Sequence, residues 1–162
     1  MTMTHRIMTA LMAFFDEEKW SYTQHEDRPI LKLGFTGKNG NWTCFAQVRE
    51  ADEQFVFYSI CPLSVPERKR LAVAEFLTRA NYGLIIGNFE MDLDDGEIRY
   101  KSSLDAESSE LSTGMIKNAV YASVLMMDKY LPGIVTVLGG NTTPKAAIDE
   151  IEADDRPDMS KT

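Results

Sequence analysis

The chain has 162 residues, 44% hydrophobic and 26% charged, the balance of an ordinary water-soluble domain around one core rather than of a disordered or membrane-spanning chain. Its 17 basic residues against 25 acidic ones leave a formal charge of -8. No Lys/Arg-rich run offsets that charge locally, so phosphate backbones and anionic lipid are poor partners, and neither nucleic acid nor a membrane is expected.

The first apolar run, Ile7 to Phe15, is short, interrupted by Thr9 and followed by Asp16-Glu17-Glu18 without a small-residue cleavage site, so it reads as part of the mature protein. Within it Ile7, Met8, Leu11, Met12 and Phe15 recur at spacings of three and four, and Phe14 widens the stripe. An amphipathic helix is predicted over Thr4 to Lys19. From Tyr22 to Phe35 the period falls to two, and the break at Asp27-Arg28-Pro29 divides a short strand from a longer one. Asn39-Gly40 has the chemistry of a two-residue hairpin turn and would set Leu31, Leu33 and Phe35 opposite Val48, Ala46 and Cys44. Residues 54 to 61, QFVFYSIC, are apolar on both faces, so this strand is central or one of its faces meets a partner.

Ser64-Val65-Pro66-Glu67 has capping-box spacing with proline in the first turn, which predicts a helix from there to near Gly83. Val73, Phe76, Leu77 and Ala80 make its apolar side, and Glu67 to Arg70 lie on solvated turns. Asp95-Gly96 is a second hairpin dipeptide. With Asp94 opposite Glu97, Leu93 meets Ile98 and Met91 meets Tyr100 on a dry face, while Asp92 meets Arg99 and Glu90 meets Lys101 on a wet one. Ser112 or Thr113 can cap a long helix through Tyr130, buried along Ile116, Ala119, Val120, Ser123, Val124, Met127 and Leu131, and Pro132-Gly133 is expected to bend or restart it. The apolar run Ile134 to Leu138 stops at Gly139-Gly140. Thr143-Pro144 then opens a last helical piece over Lys145 to Glu152, and the polar end from Ala153 is expected to fray.

This order, α-β-β-β(-β)-α-β-β-α, predicts an α+β fold: an antiparallel sheet of about five to six strands with helices packed on one side. Asn81-Tyr82-Gly83, Gly87-Asn88-Phe89-Glu90-Met91-Asp92 and Asp95-Gly96-Glu97-Ile98-Arg99-Tyr100 together resemble the signature region of the YbjN family, bacterial proteins assigned to sensory-transduction regulation. The first helix, the Asn39-Gly40-Asn41-Trp42 hairpin and the helix ending in Tyr130-Leu131-Pro132-Gly133 follow in family order, so the resemblance covers roughly residues 4 to 150. Length and the polar end predict one domain over residues 1–152 with a flexible polar tail over 153–162, and the resemblance implies a type III secretion chaperone-like fold, often a homodimer, and a regulatory or protein-binding role with no established enzymatic activity.

The residues themselves offer little chemistry. Asp92, Asp94, Asp95 and Glu97 are spaced unlike a calcium loop: counting from Asp92, glycine is fifth rather than sixth, and Ser103 stands at the twelfth position. His5 and His25 have no cysteine or serine nucleophile in a recognised spacing. Gly133 with Gly139-Gly140 lacks the lysine of a phosphate loop. Cys44 and Cys61, without a secretion signal, point to reduced, buried thiols in a cytoplasmic chain and are too few for a metal site. No catalytic residue, cofactor or metal ligand is assigned.

The apolar residues left over are more informative. If Arg49 pairs with Gln54 across Glu50 to Glu53, then Val48, Ala46 and Cys44 align with Phe55, Phe57 and Ser59 beneath the helices. Phe45, Val56, Tyr58 and Ile60 fall on the opposite face, bordered by Glu90, Asp92, Arg99 and Lys101. A patch of that kind marks a dimer or client surface, unless the segment Ile134 to Ile151 folds back over it. The expected function is therefore a non-enzymatic protein-binding regulator or chaperone-like module with an unidentified protein partner. The alternative is a small-ligand or catalytic domain, whose best candidates, His25, Cys61 and the Asp92 to Glu97 cluster, share no supporting spacing.

Overall fold

The computed structural model describes residues 5–155. Helix α1 (Arg6–Glu17) buries Ile7, Met8, Leu11, Phe14 and Phe15, the stripe that its spacing predicts, with Met12 half-buried. The side chain of His5, the residue before it, does not cap it. The Glu50 carboxylate, distant in sequence, instead accepts from the N–H groups of Ile7 and Met8 at 3.2 and 2.8 Å, supplying negative charge where the helix dipole is positive.

Six strands follow: β1 (Tyr22–Gln24), β2 (Ile30–Thr36), β3 (Asn41–Arg49), β4 (Gln54–Ser64), β5 (Asn88–Met91) and β6 (Glu97–Asp105). They form one antiparallel sheet in the order β1-β2-β3-β4-β6-β5. Helix α2 (Arg70–Asn81) joins β4 to β5, and α3 (Thr113–Leu138) and α4 (Pro144–Ile151) close the chain. The sheet with its helices on one face is the expected α+β layout. Alternate residues of β2, β3, β4 and β6, among them Leu31, Leu33, Cys44, Ala46, Val48, Phe55, Phe57, Ile98 and Tyr100, enter one core with Phe76 of α2 and Met127 and Ile134 of α3. Two polar contacts tie α3 to that sheet face: Ser59 Oγ shares a hydrogen bond of 2.8 Å with Ser123 Oγ, and Ser102 Oγ donates to the Ala119 carbonyl at 2.6 Å.

Both tight hairpins differ from the expected register by two residues, in the same direction. In the first, Leu31, Leu33 and Phe35 face Ala46, Cys44 and Trp42, so the loop is the four residues 37–40. It docks on α3: the Asp128 carboxylate accepts from the N–H groups of Lys38 and Asn39, and the Asn39 side-chain amide donates to the Asp128 carbonyl at 2.8 Å. In the second, Met91 faces Ile98 and Glu90 faces Arg99, and residues 93–96 form the loop. Gly96 donates to the Asp92 carbonyl at 2.7 Å, and its own carbonyl accepts from Val65 N–H at 3.0 Å. A slip of two preserves which face each side chain takes, so the hydrophobic pattern is satisfied by either register and tertiary contacts to the tip decide between them.

Two further expectations are corrected. Ser64 does not cap a helix: it ends β4, and its hydroxyl donates to the Asp95 carbonyl, while a 3₁₀ turn, Glu67–Lys69, leads into α2. Nor does the helix restart after Pro132; α3 runs through it to Leu138. Proline has no N–H to offer the Asp128 carbonyl one turn earlier, and that carbonyl takes the Asn39 amide instead. The caps predicted for α3 and α4 are present, Ser112 accepting from Met115 N–H and Thr143 from Ala146 N–H, both at 3.1 Å.

Candidate protein-binding face

The side of the sheet away from the helices is built by the strand residues that alternate with the core set. Arg49 pairs with Gln54, Val48 with Phe55, Ala46 with Phe57 and Cys44 with Ser59, as the loop length predicts. Phe45, Val56, Tyr58 and Ile60 therefore share the other face, where all four are half-buried and every outward strand residue is half-buried or exposed. The segment Ile134 to Ile151 lies elsewhere: its first residues complete α3, and α4 packs on α2 and α3 with Ala147 and Ile148 buried.

The register lays this face out in rows. Lys32, Phe45, Tyr58 and Lys101 lie side by side across β2, β3, β4 and β6, and Ile60, Arg99 and Glu90 form a parallel row across β4, β6 and β5. The Arg99 guanidinium sits 4.3 Å from the centre of the Tyr58 ring, a cation–π contact. Glu90 pairs with both Arg99 and Lys101, the latter at 3.2 Å. Desolvation pushes its carboxyl up, but hydrogen bonds and charge from the two cations outweigh that and hold it below the ordinary value. Between Lys32 and Arg99 the surface dips into a depression of about 390 Å³ floored by Phe45, Tyr58 and Ile60.

The other candidates are not brought together. Cys44 and Cys61 are buried, and burial pushes their thiols up to about 12 and about 11, so both are protonated at neutral pH. His25 is exposed and accepts from Asp27 N–H through Nδ1. The acidic hairpin turns its carboxylates onto its own backbone, Asp92 accepting from Asp94 N–H and Asp95 from Glu97 N–H. Among the described residues no cluster of His, Cys, Asp and Glu could hold a metal ion, and no helix is long and apolar enough to cross a membrane.

One surface feature escaped sequence reasoning. Between α2 and β5 the chain presents Tyr82 and Ile85 at 91% and 92% exposure, with Ile86 half-exposed beside them. The loop is held firmly: the Asn81 side chain accepts from Phe89 N–H and donates to its carbonyl, at 2.7 and 3.0 Å, and the Tyr100 hydroxyl donates to the Ile86 carbonyl. The signal was three large apolar residues, Leu84 to Ile86, between glycines that take positive φ, Gly83 and Gly87.

Residues 9–135 match the YbjN family, described as "Putative bacterial sensory transduction regulator". Among solved structures the chain is similar to YbjN from E. coli, at 15% identity and a TM-score of 0.56 over 83% of this chain and 90% of that one. It is also similar to a chain of the ExsC-ExsE complex, at 11% identity and a TM-score of 0.55 over 82% and 96%. An uncharacterized protein from Methanothermobacter thermautotrophicus has 11% identity and a TM-score of 0.52 over 82% and 96%. No curated protein matches the chain.

Proposed function

The chain belongs to the YbjN family, and from that membership we propose that it is a non-enzymatic, chaperone-like regulator that acts in the cytoplasm by binding another polypeptide on its open sheet face. The observation that carries this reading is the half-buried set Phe45, Val56, Tyr58 and Ile60 on a sheet face to which the chain's own C-terminal helices contribute no cover. An apolar surface of that shape gains free energy when a second polypeptide removes it from water. A structural neighbour of the same fold was solved as the complex of two proteins, ExsC and ExsE, which supports the same mode of action. We place the self-association of a homodimer at the rigid loop Tyr82 to Ile86, because residues 81–89 are uncharged and two copies of formal charge -8 meet there at least electrostatic cost.

The test compares wild type with Phe45→Glu, Tyr58→Glu and Ile85→Asp, first by circular dichroism for intact helices, then by light scattering and by rebinding of the purified partner that wild type retains in the cell. The two sheet variants are expected to keep the dimer mass and lose the partner, and Ile85→Asp to run as a monomer that still binds. Retention of the partner by Phe45→Glu and Tyr58→Glu, or their unfolding, would contradict the assignment of the face.

A further inference from the structure

We infer that the open face recognises an acidic apolar segment of its partner, one in which two carboxylates about four residues apart flank an aromatic or large aliphatic side chain. The inference rests on the proposed role of this face and adds the chemistry of its occupant. In a chain of formal charge -8, the centre of this face is flanked by cations. Lys32 stands at one end of the row Lys32, Phe45, Tyr58, Lys101, and Lys101, with Arg99 in the neighbouring row, stands at the other.

The acids of the face lie off that centre or are already engaged. Glu90 is shared between Arg99 and Lys101 and neutralises only one of them. Asp92 and Glu97 lie at the hairpin end, where Glu97 meets one side of the depression. At the opposite end Asp105 accepts from the Gln54 amide, and Arg49 pairs with Asp52. Lys32 is exposed and takes part in none of the ion pairs among the described residues. Three strand spacings separate Lys32 from Lys101, about 14 Å between Cα atoms, which an extended chain crosses in about four residues. A segment lying across the strands would therefore set one carboxylate at each flank and its apolar side chain over Phe45 and Tyr58.

The same geometry disfavours a second copy of this chain here. A two-fold pairing of the face with itself, centred on this row, would set Lys32 and Lys101 either against each other or against their own counterparts, and like charges placed so reject that partner.

Fluorescence polarisation with three short labelled peptides tests this. All three carry a central Trp-Leu pair, flanked four residues apart by glutamates, by lysines or by serines. Wild type is expected to bind the glutamate peptide about tenfold more tightly than the serine peptide, as two charge pairs near the upper end of the surface range imply, and the lysine peptide most weakly. Lys32→Glu, a change at an exposed side chain, should erase or reverse that order, and Tyr58→Glu should abolish binding of all three. Equal binding of the three peptides that is still lost in Tyr58→Glu would overturn the acidic preference while leaving the face a polypeptide site. Absence of binding by any peptide to wild type would overturn both, and a fall in assembly mass on Tyr58→Glu would assign the face to a second copy and overturn the inference.

Discussion

Gly96 is buried at the tip of the β5–β6 hairpin with φ of 81°, and a Cβ there would overlap the carbonyl oxygen of Val65. Both facts select glycine: the backbone angle strains any L side chain, and the neighbour is main chain, which cannot swing aside. Gly96→Ala is expected to cost about 2 kcal/mol or more in urea unfolding. Gly114→Ala, in the first turn of α3 where a Cβ would meet the Ser112 hydroxyl only at an ordinary contact distance of 3.9 Å, is expected to be neutral or stabilising by a few tenths of a kcal/mol to about 1 kcal/mol. Equal costs at the two sites would contradict this account. The Asp95-Gly96 dipeptide was legible as a turn because glycine announces positive φ locally. Its loop length was not, because the contact that sets it comes from Val65, thirty-one residues away.

At the scale of elements, periodicity carried the reading and tertiary pinning limited it. The buried sets of α1, α2 and α3 follow their apolar spacing, and the β3–β4 pairing follows from its loop. The two hairpin registers, the supposed cap at Ser64 and the passage of α3 through Pro132 depend instead on partners that lie far off in sequence. Asp128 shows the mechanism most clearly, since it receives the backbone of the β2–β3 loop on its carboxylate and the Asn39 amide on its carbonyl. Asp128→Ala is expected to destabilise the fold by about 1 to 2 kcal/mol and to speed hydrogen exchange at the Lys38 and Asn39 amides while α3 stays protected. Unchanged exchange at those two amides would show that the loop holds its shape alone. The edge of the sheet is managed in the same way. The Asn81 side chain occupies the outward N–H and carbonyl of Phe89 on edge strand β5, so another strand cannot pair at that residue without displacing it.

For the whole molecule, an antiparallel sheet with helices on one side can leave a polar second face to water, whereas an apolar second face gains by being covered. The two-faced apolar character of β4 made that choice visible in the sequence, and its Val56, Tyr58 and Ile60 share one face with Phe45 of β3 in the structure. The protruding Tyr82 to Ile86 loop was not foreseen, since apolar residues near a helix end look like core until the fold shows them at the surface. Charge placement across the open face likewise required the strand order, because Lys32 and Lys101 become flanks of one row only through pairings far apart in the chain.

Site-specific photocross-linking in the cell reads what lies against the open face, with a photoreactive phenylalanine placed at Val56 or Ile60 and, as a control, at the half-exposed Leu125 of α3. The two sheet positions are expected to capture the same polypeptide, identified by mass spectrometry and different from this chain, and Leu125 is expected not to. Capture of only a second copy at Val56 and Ile60, or no difference from Leu125, would contradict the assignment of the face.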